Sequence, residues 1–516
     1  MQLLTKKSLT GFFALSLVTS LNFIIPSPST AAGTPVKGGD LVVVRGDIET
    51  SLVPSIPPDN ASIWVLEELF DTLLFPAADG KSLVPGLATT WSQSKDGLTW
   101  TFNLRKGVKF SDGTAMTSKD VKFSIEENTK GSNWGFLNAS ISKITIPNAD
   151  TVLIKTKYPY SPLPAAIATF ANSVLPYNYG GKTQEEFGKN PIGTGPFKIS
   201  KWTLGQQIKL VKNPYYWEAG KPYLNSITFN LVPDSNTRAN QLLGGQAQIN
   251  EFPPYSSVKA LKGQSKVTVS AFPSSATMFM VFNNSKAPFN DPHLRKALAY
   301  VIDKKAINTA ILAGAGTPAG AFMWPSGWAH NAAIKGREFD VAKAKAELAL
   351  STTPTGLTAN IAVASGNVDQ NSLAQIMQNA AAQIGVTLNI QQLDPSAMND
   401  ARMNKTFDIC YVPVTTDMMD PDEIINVDAV YTGGAFSLFS YYDNKNISKW
   451  AADAVKTQDQ AKRKVIYDKI QVQFEADAPM VPLYYAPEMY SYSKKVQNFH
   501  SYVTGNYNLR NVWLSK

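Results

Sequence analysis

Alternation and helical spacing of apolar residues divide the chain into a succession of strands and helices. After a glycine-rich lead-in at Lys37-Gly38-Gly39, LVVVRG (41–46) is a short continuous apolar run of the kind that forms a buried strand. Ile63, Leu66, Leu69, Phe70 and Leu73 fall on one face at helical spacing, which predicts a helix over 62–74. Leu98, Trp100, Phe102 and Leu104 alternate with polar neighbours, which predicts a half-buried strand over 98–104. Turns at Lys106-Gly107 and Asp112-Gly113 follow, and Thr117-Ser118-Lys119-Asp120 has the hydroxyl and carboxylate that satisfy the free N–H groups at a helix start. Residues 136–185 are expected to be strand-rich, broken by Pro159, Pro162, Pro164 and Pro176.

The stretch 359–412 is the most informative. NIAVAS is a strand; Leu373, Ile376, Met377, Ala380 and Ile384 then mark one face of a helix ending at Gly385. VTLNIQQL is a second strand, 396–404 a short helix, and FDICYV a third strand. This β-α-β-α-β order implies a parallel sheet with helices packed on it. Ligands of such open sheets sit beyond the carboxyl ends of the strands, which directs attention to VPVTTDMMDPDE, immediately after the third.

Composition narrows the chemistry. The 516 residues suggest about three domains. With 44% hydrophobic and 17% charged residues the chain is globular, its polar surface relying on Ser, Thr, Asn and Gln. One cysteine, Cys410, excludes an internal disulfide and a Cys-rich metal cluster; set mid-strand among apolar neighbours, it reads as an inert buried thiol. His293, His330 and His500 are widely spaced and form no HExxH or paired-His zinc site. The net charge of +8 is dispersed without a block of like charges, so no nucleic-acid partner is expected. GAGTPAG (314–320) is a loop and not a dinucleotide fingerprint, and neither a P-loop nor a G-x-S-x-G elbow occurs. Cofactors and catalytic residues are expected to be absent.

The N-terminus has the form of an export signal. Lys6 and Lys7 precede the apolar run 9–25, Pro26 and Pro28 interrupt it, and Thr30 and Ala32 suit a cleavage site before Gly33. Residues 1–32 are therefore expected to be removed, leaving an exported chain. No cysteine stands at the cleavage point to take a lipid, and no later run approaches the length of a membrane span.

Several ordered segments carry a family resemblance. LATTWSQSKDGLTWTFNLRKGVKFSDGTAMTSKDVKFS (87–124), PIGTGPFKISKW (191–202), NPYYW (213–217), FNNSKAPFNDPHLRKALAYVIDK (282–304) and ADAPMVPLYY (476–485) occur in the order typical of one group. On these segments the chain resembles the peptide/nickel/opine solute-binding proteins of bacterial ABC importers, the dipeptide- and oligopeptide-binding family 5. The resemblance implies an α/β, two-lobed periplasmic binding protein fold (class II, cluster C-like) with an extra subdomain. Residues 33–60, 190–275 and 485–516 would form the core of lobe I, 61–189 its extra subdomain, and 276–484 lobe II. Crossings near 274–278 and 484–488 would act as hinges. The function implied is capture of peptides or peptide-like solutes by a monomer in the periplasm, with delivery to ABC permease subunits. Opine, sugar-conjugate or metal-chelate binding is the alternative within the family, and an exported hydrolase the alternative outside it.

The resemblance also suggests site residues. In dipeptide and oligopeptide binders an aspartate in a stretch like Pro413–Pro421 pairs with the ligand's α-ammonium. This chain keeps it as Asp417, after Thr415 and Thr416, but lacks the tryptophan that usually accompanies it. The arginine that clamps a dipeptide carboxylate in relatives has no counterpart in AVASGN (362–367), so a longer or modified peptide, an opine-like conjugate or a small amino compound is expected. Trp324 falls in a loop that lines the cleft in relatives, its plainer reading being the anchor of a surface loop, and Asn60 and Ser62 match a segment that contacts ligand in relatives. Phe436 and Ser437, after Gly433-Gly434, and Asn367, at the end of a strand in the same lobe, are further candidates for the cleft. Asp420, Asp422 and Glu423 lack the glycine and distal glutamate of a calcium loop and read as the acidic start of a helix after Pro421, not as a metal site.

Overall fold

The computed structural model describes residues 34–516 apart from 58, 78, 132 and 434–436. The expected signal segment and Phe436 lie outside the described residues.

The apolar run after the glycines becomes the strand Asp40–Arg45, whose Leu41, Val43 and Val44 are wholly buried. It is central in a seven-stranded sheet, parallel to Ile249–Glu251 on one side and to Ser226–Leu231 on the other. Buried on both faces, it needs no polar alternation. Val267–Phe272 and Phe197–Thr203 form the two edges, and Glu488–Ser493 lies between the first of these and Ile249–Glu251.

The helix after it is shorter than its periodicity predicts. It runs Asn60–Leu69, with Asp59 accepting from the Ser62 N–H at its start. Its end is set by a distant turn: Gly195 N–H donates to Leu69 O at 3.0 Å, and a β-carbon on Gly195 would lie 2.6 Å from Phe70 N. That close approach of the 193–196 loop occupies the space a further helical turn would need, so Leu73 and Leu74 enter an extended segment.

Thr99–Leu104 is the expected alternating strand, inside a four-stranded antiparallel sheet. The Ser118–Lys130 helix starts with a full capping box, Thr117 and Asp120 satisfying each other's backbone N–H. The expectation of strands throughout 136–185 holds only for Ile141–Asn148 and Thr151–Thr156. Beyond them the prolines divide the chain into the short helix Leu163–Ile167 and single helical turns. Proline has no N–H to give a sheet ladder.

The β-α-β-α-β reading is realised in a six-stranded sheet. Thr358–Ala364 is parallel to Thr387–Leu393 and to Ile409–Val414, and the helices Val368–Ala382 and Pro395–Met403 connect them. Thr277–Phe282 completes the centre, antiparallel to Ile409–Val414. Its Met280 and Phe282 pack into one core and its Phe279 and Val281 into another, so the sheet is covered on both faces.

The chain passes between the two large sheets in adjacent segments. It leaves the seven-stranded sheet at Phe272 and enters the six-stranded one at Thr277; it returns between Tyr485 and Glu488. The two crossings are tied together by Ala486 N–H to Ala276 O (2.9 Å) and Ser274 Oγ to Ala486 O (2.6 Å).

Candidate functional site

The carboxyl end of the Ile409–Val414 strand runs straight into the segment singled out by the sequence. Thr415 is exposed and Thr416 is buried. Thr416 N–H donates to Ser275 Oγ at 3.0 Å, and Ser275 N–H donates to Val503 O at 2.7 Å. The turn is therefore fastened to the crossing and, through it, to the C-terminal segment. Pro421 precedes the helix Asp422–Asp428, as expected.

Glu423 reaches back from that helix to order the turn. Its Oε2 accepts the Thr416 hydroxyl at 2.6 Å and the N–H groups of Asp417 and Met418 at 2.9 and 2.8 Å. The other acids go to separate partners. Asp420 is held in a bidentate pair by Arg463 at 2.6 and 2.8 Å. Asp422 accepts Tyr160 OH at 2.6 Å and Asn426 Nδ2 at 2.8 Å, and burial pushes its carboxyl up to about 6.

Asp417 is half-buried and has no cationic partner among the described residues. Burial first, then the neighbouring Glu423 and Glu67, push its carboxyl well above the usual range. Two carboxylates in one poorly hydrated site resist joint ionisation unless a cation joins them. Glu67 comes from the Asn60–Leu69 helix, whose acids form the opposite bank. Burial raises Glu67 to about 7, Glu68 to about 8 and Asp71 to about 6, despite nearby Arg510. Arg510 is itself occupied, lying 3.8 Å from Asp71 Oδ1 and 3.5 Å from Glu218 Oε1.

A cavity of about 610 Å³ opens beside this cluster, between the 136–160 segment and the helices Asp422–Asp428 and Lys445–Lys456. Met418 and Glu423 are in its wall.

The remaining candidates are dispersed. Asn60 is exposed at the first turn of its helix and lines a separate cavity of about 330 Å³ with Arg45, Trp64 and Glu251. Ser62 is buried, its hydroxyl accepting Thr50 N–H at 2.7 Å to fasten the preceding loop. Trp324 is 2% exposed in the core against Phe279 and Val281, its indole N–H without a hydrogen-bond partner. Asn367 caps the Val368–Ala382 helix by accepting Gln370 N–H. Cys410 is buried, its thiol raised to about 11 by burial. Sequence reasoning missed Glu67 and the turn-ordering role of Glu423. The doublet Glu67-Glu68 inside the otherwise apolar IWVLEELF was a readable signal, because acids on a buried helix face need a reason.

The raised carboxyls predict an acid-favouring fold. Glu67, Glu68, Asp71 and Glu488 (raised to about 7, mainly by burial) stay protonated in the fold at pH values where the unfolded chain has lost those protons. Their contribution is complete below the ordinary carboxyl range and is lost as pH rises through about 6 to 8. The slope is about 1.4 kcal/mol per pH unit for each proton retained on folding. Thermal melts of the ligand-free protein are expected to give a lower Tm at pH 8 than at pH 5. An equal or higher Tm at pH 8 would contradict these environments.

Two mixed α/β sheets joined by paired crossings, with an acidic turn at the carboxyl end of a parallel strand, define a solute receptor of the two-lobed binding-protein class. The chain belongs to the bacterial extracellular solute-binding proteins, family 5, whose model matches residues 82–436. It is 28% identical over 500 residues to the glutathione-binding protein GsiB of Shigella dysenteriae, covering 95% of each chain. It is 28% identical over 497 residues to the probable D,D-dipeptide-binding periplasmic protein DdpA of Escherichia coli, covering 94% of this chain and 95% of that one. Its fold matches the ABC transporter-associated periplasmic binding protein DppA of Helicobacter pylori in complex with the peptide STSA, with TM-score 0.80 and 27% identity over 93% of this chain and 99% of the other. The protein is thus a substrate-binding component of an ABC importer and not an enzyme, which removes the hydrolase alternative. No helix among the described residues is long and apolar enough to cross a membrane.

Proposed function

We infer that this protein captures a peptide or peptide-like solute by its ammonium group and hands it to the permease of an ABC importer. The observation that carries this reading is Asp417, a carboxylate without a cationic partner beside Glu423 and Glu67, at the carboxyl end of a parallel strand. Thr415 and Thr416 precede it; Asn60, Ser62, Trp324, Phe436 and Asn367 are secondary candidates. The lobes are 33–60 with 190–275 and 485–516, carrying 61–189, and opposite them 276–484. Closure occurs about the crossings near 274–278 and 484–488, whose mutual hydrogen bonds let both strands of the hinge bend together. The protein works as a monomer without nucleic acid, in the periplasm, after removal of residues 1–32. The lack of a cation in 362–367 favours a ligand whose carboxylate is remote or modified over a free dipeptide.

Native mass spectrometry of the purified mature protein, followed by denaturing release, tests the reading. A distribution of peptide masses, or an amine-bearing conjugate, is the expected result. A single released mass without an amine would overturn it, as would an empty protein whose melting temperature no peptide or amino conjugate raises.

A further inference from the structure

Glu423 has one carboxylate oxygen fully engaged and the other free. Oε2 accepts three donors from the 416–418 turn. Oε1 has no hydrogen-bond partner among the described residues, although the residue is only 7% exposed and lines the 610 Å³ cavity. The neighbouring Asp422 differs, since Tyr160 and Asn426 occupy its two oxygens. Asp428, at the far end of the same helix, is buried with neither oxygen hydrogen-bonded, and burial, with Glu423 adding to it, raises its carboxyl well above the usual range. That leaves Glu423 as the acid available to whatever enters. The walls around it are apolar or aromatic: Phe136 and Tyr158 on one side, Val427 and Val430 on the other. Lys456 lies at the exposed edge, 5.9 Å from the Tyr158 ring centre, and forms no ion pair with Glu423.

We propose that this cavity is a side-chain subsite for a basic group on an apolar stem, with Glu423 Oε1 receiving the cation. A stem of methylenes or an aromatic ring suits the walls, and a terminal ammonium or guanidinium supplies the donor that Oε1 lacks. A neutral apolar group of the same size would leave that oxygen cut off from water with nothing in exchange. An anionic group would meet Glu423 and Asp422 together. The inference rests on the reading above that Asp417 holds the ligand's ammonium; it adds that the solute carries a second positive charge. Glu423 connects the two positions, because its Oε2 fixes the backbone N–H of Asp417.

The test is selection from a mixture. The mature protein is incubated with an equimolar library of di- to pentapeptides, washed and denatured, and the released peptides are identified by mass. Peptides with lysine or arginine are expected to be enriched about tenfold over those with norleucine or methionine, the scale of one charge-assisted hydrogen bond. In E423Q the enrichment is expected to vanish. Ser448→Phe, which fills the cavity from the Lys445–Lys456 helix without removing an acid, is expected to do the same if E423Q disturbs the turn. A wild-type pool without basic enrichment overturns the subsite and leaves peptide capture standing. Enrichment that survives both variants, or loss of every peptide from both, also overturns it. A wild type that retains no peptide removes the reading beneath it as well.

Discussion

Asp417→Asn lowers affinity for an ammonium-bearing ligand by two to three decades and raises the melting temperature of the ligand-free protein. Both effects come from one local fact. The Asp417 side chain holds no hydrogen bond among the described residues, while the backbone N–H that orders the turn is bonded to Glu423. Replacing the carboxylate with its neutral isostere therefore breaks nothing structural. It removes repulsion from Glu423 and Glu67, which relaxes the empty site. The bound state loses its counter-charge in a poorly hydrated cleft, where breaking such a pair costs about 3–5 kcal/mol. At about 1.4 kcal/mol per decade that is the loss expected. Calorimetric titration with the ligand released from the wild type, beside a melt of each empty protein, measures both. Unchanged affinity would show that the ammonium is held elsewhere. A lowered Tm in the empty variant would show that Asp417 supports the fold.

Arg463→Met destabilises the protein by about 3–5 kcal/mol, the cost of leaving a buried carboxylate without its partner. Arg463 and Asp420 are both almost fully buried, and their pair is bidentate. Arg463 also donates to Tyr467 OH at 2.7 Å and lies 5.2 Å from the Trp328 ring centre. Asp420 in turn accepts Asp422 N–H, so the pair holds the start of the helix that carries Glu423. Loss of the arginine should therefore loosen the turn as well as the core, and ligand affinity should fall with stability. Adding Asp420→Leu removes the stranded charge and is expected to recover part of the loss. Urea unfolding of the single and double variants reads the effect. A double variant no better than the single one would mean that the aromatic and helix-start contacts carry the cost, not the ion pair.

Much of the fold was legible because its causes are local. The capping box at Thr117 and Asp120 is written in four consecutive residues. The parallel unit over 359–412 follows from alternation, helical spacing and the handed packing of helices on a sheet. Its ends placed Asp417 beyond a strand terminus, and the segment lies there. The helix over 62–74 was overestimated for the opposite reason. Its periodicity continues to Leu73, but a loop more than a hundred residues away takes the space after Leu69. The 136–185 region failed in the same way, because its apolar residues bury equally well in helical turns once prolines forbid a ladder.

The amino-acid sequence by itself determined most of the elements, the parallel arrangement of the central strands, the family, and an aspartate just beyond the carboxyl end of a parallel strand. Periodicity, caps and turns depend on neighbours along the chain, so they can be read in order. Tertiary structure alone decided which charges are compensated. Arg463 answers Asp420, Tyr160 answers Asp422, and Arg510 is engaged by Asp71 and Glu218, while Asp417 and one oxygen of Glu423 are left open. The energy of a carboxylate depends on the water and the opposite charge within a few ångströms, and those neighbours arrive from segments far apart in the chain.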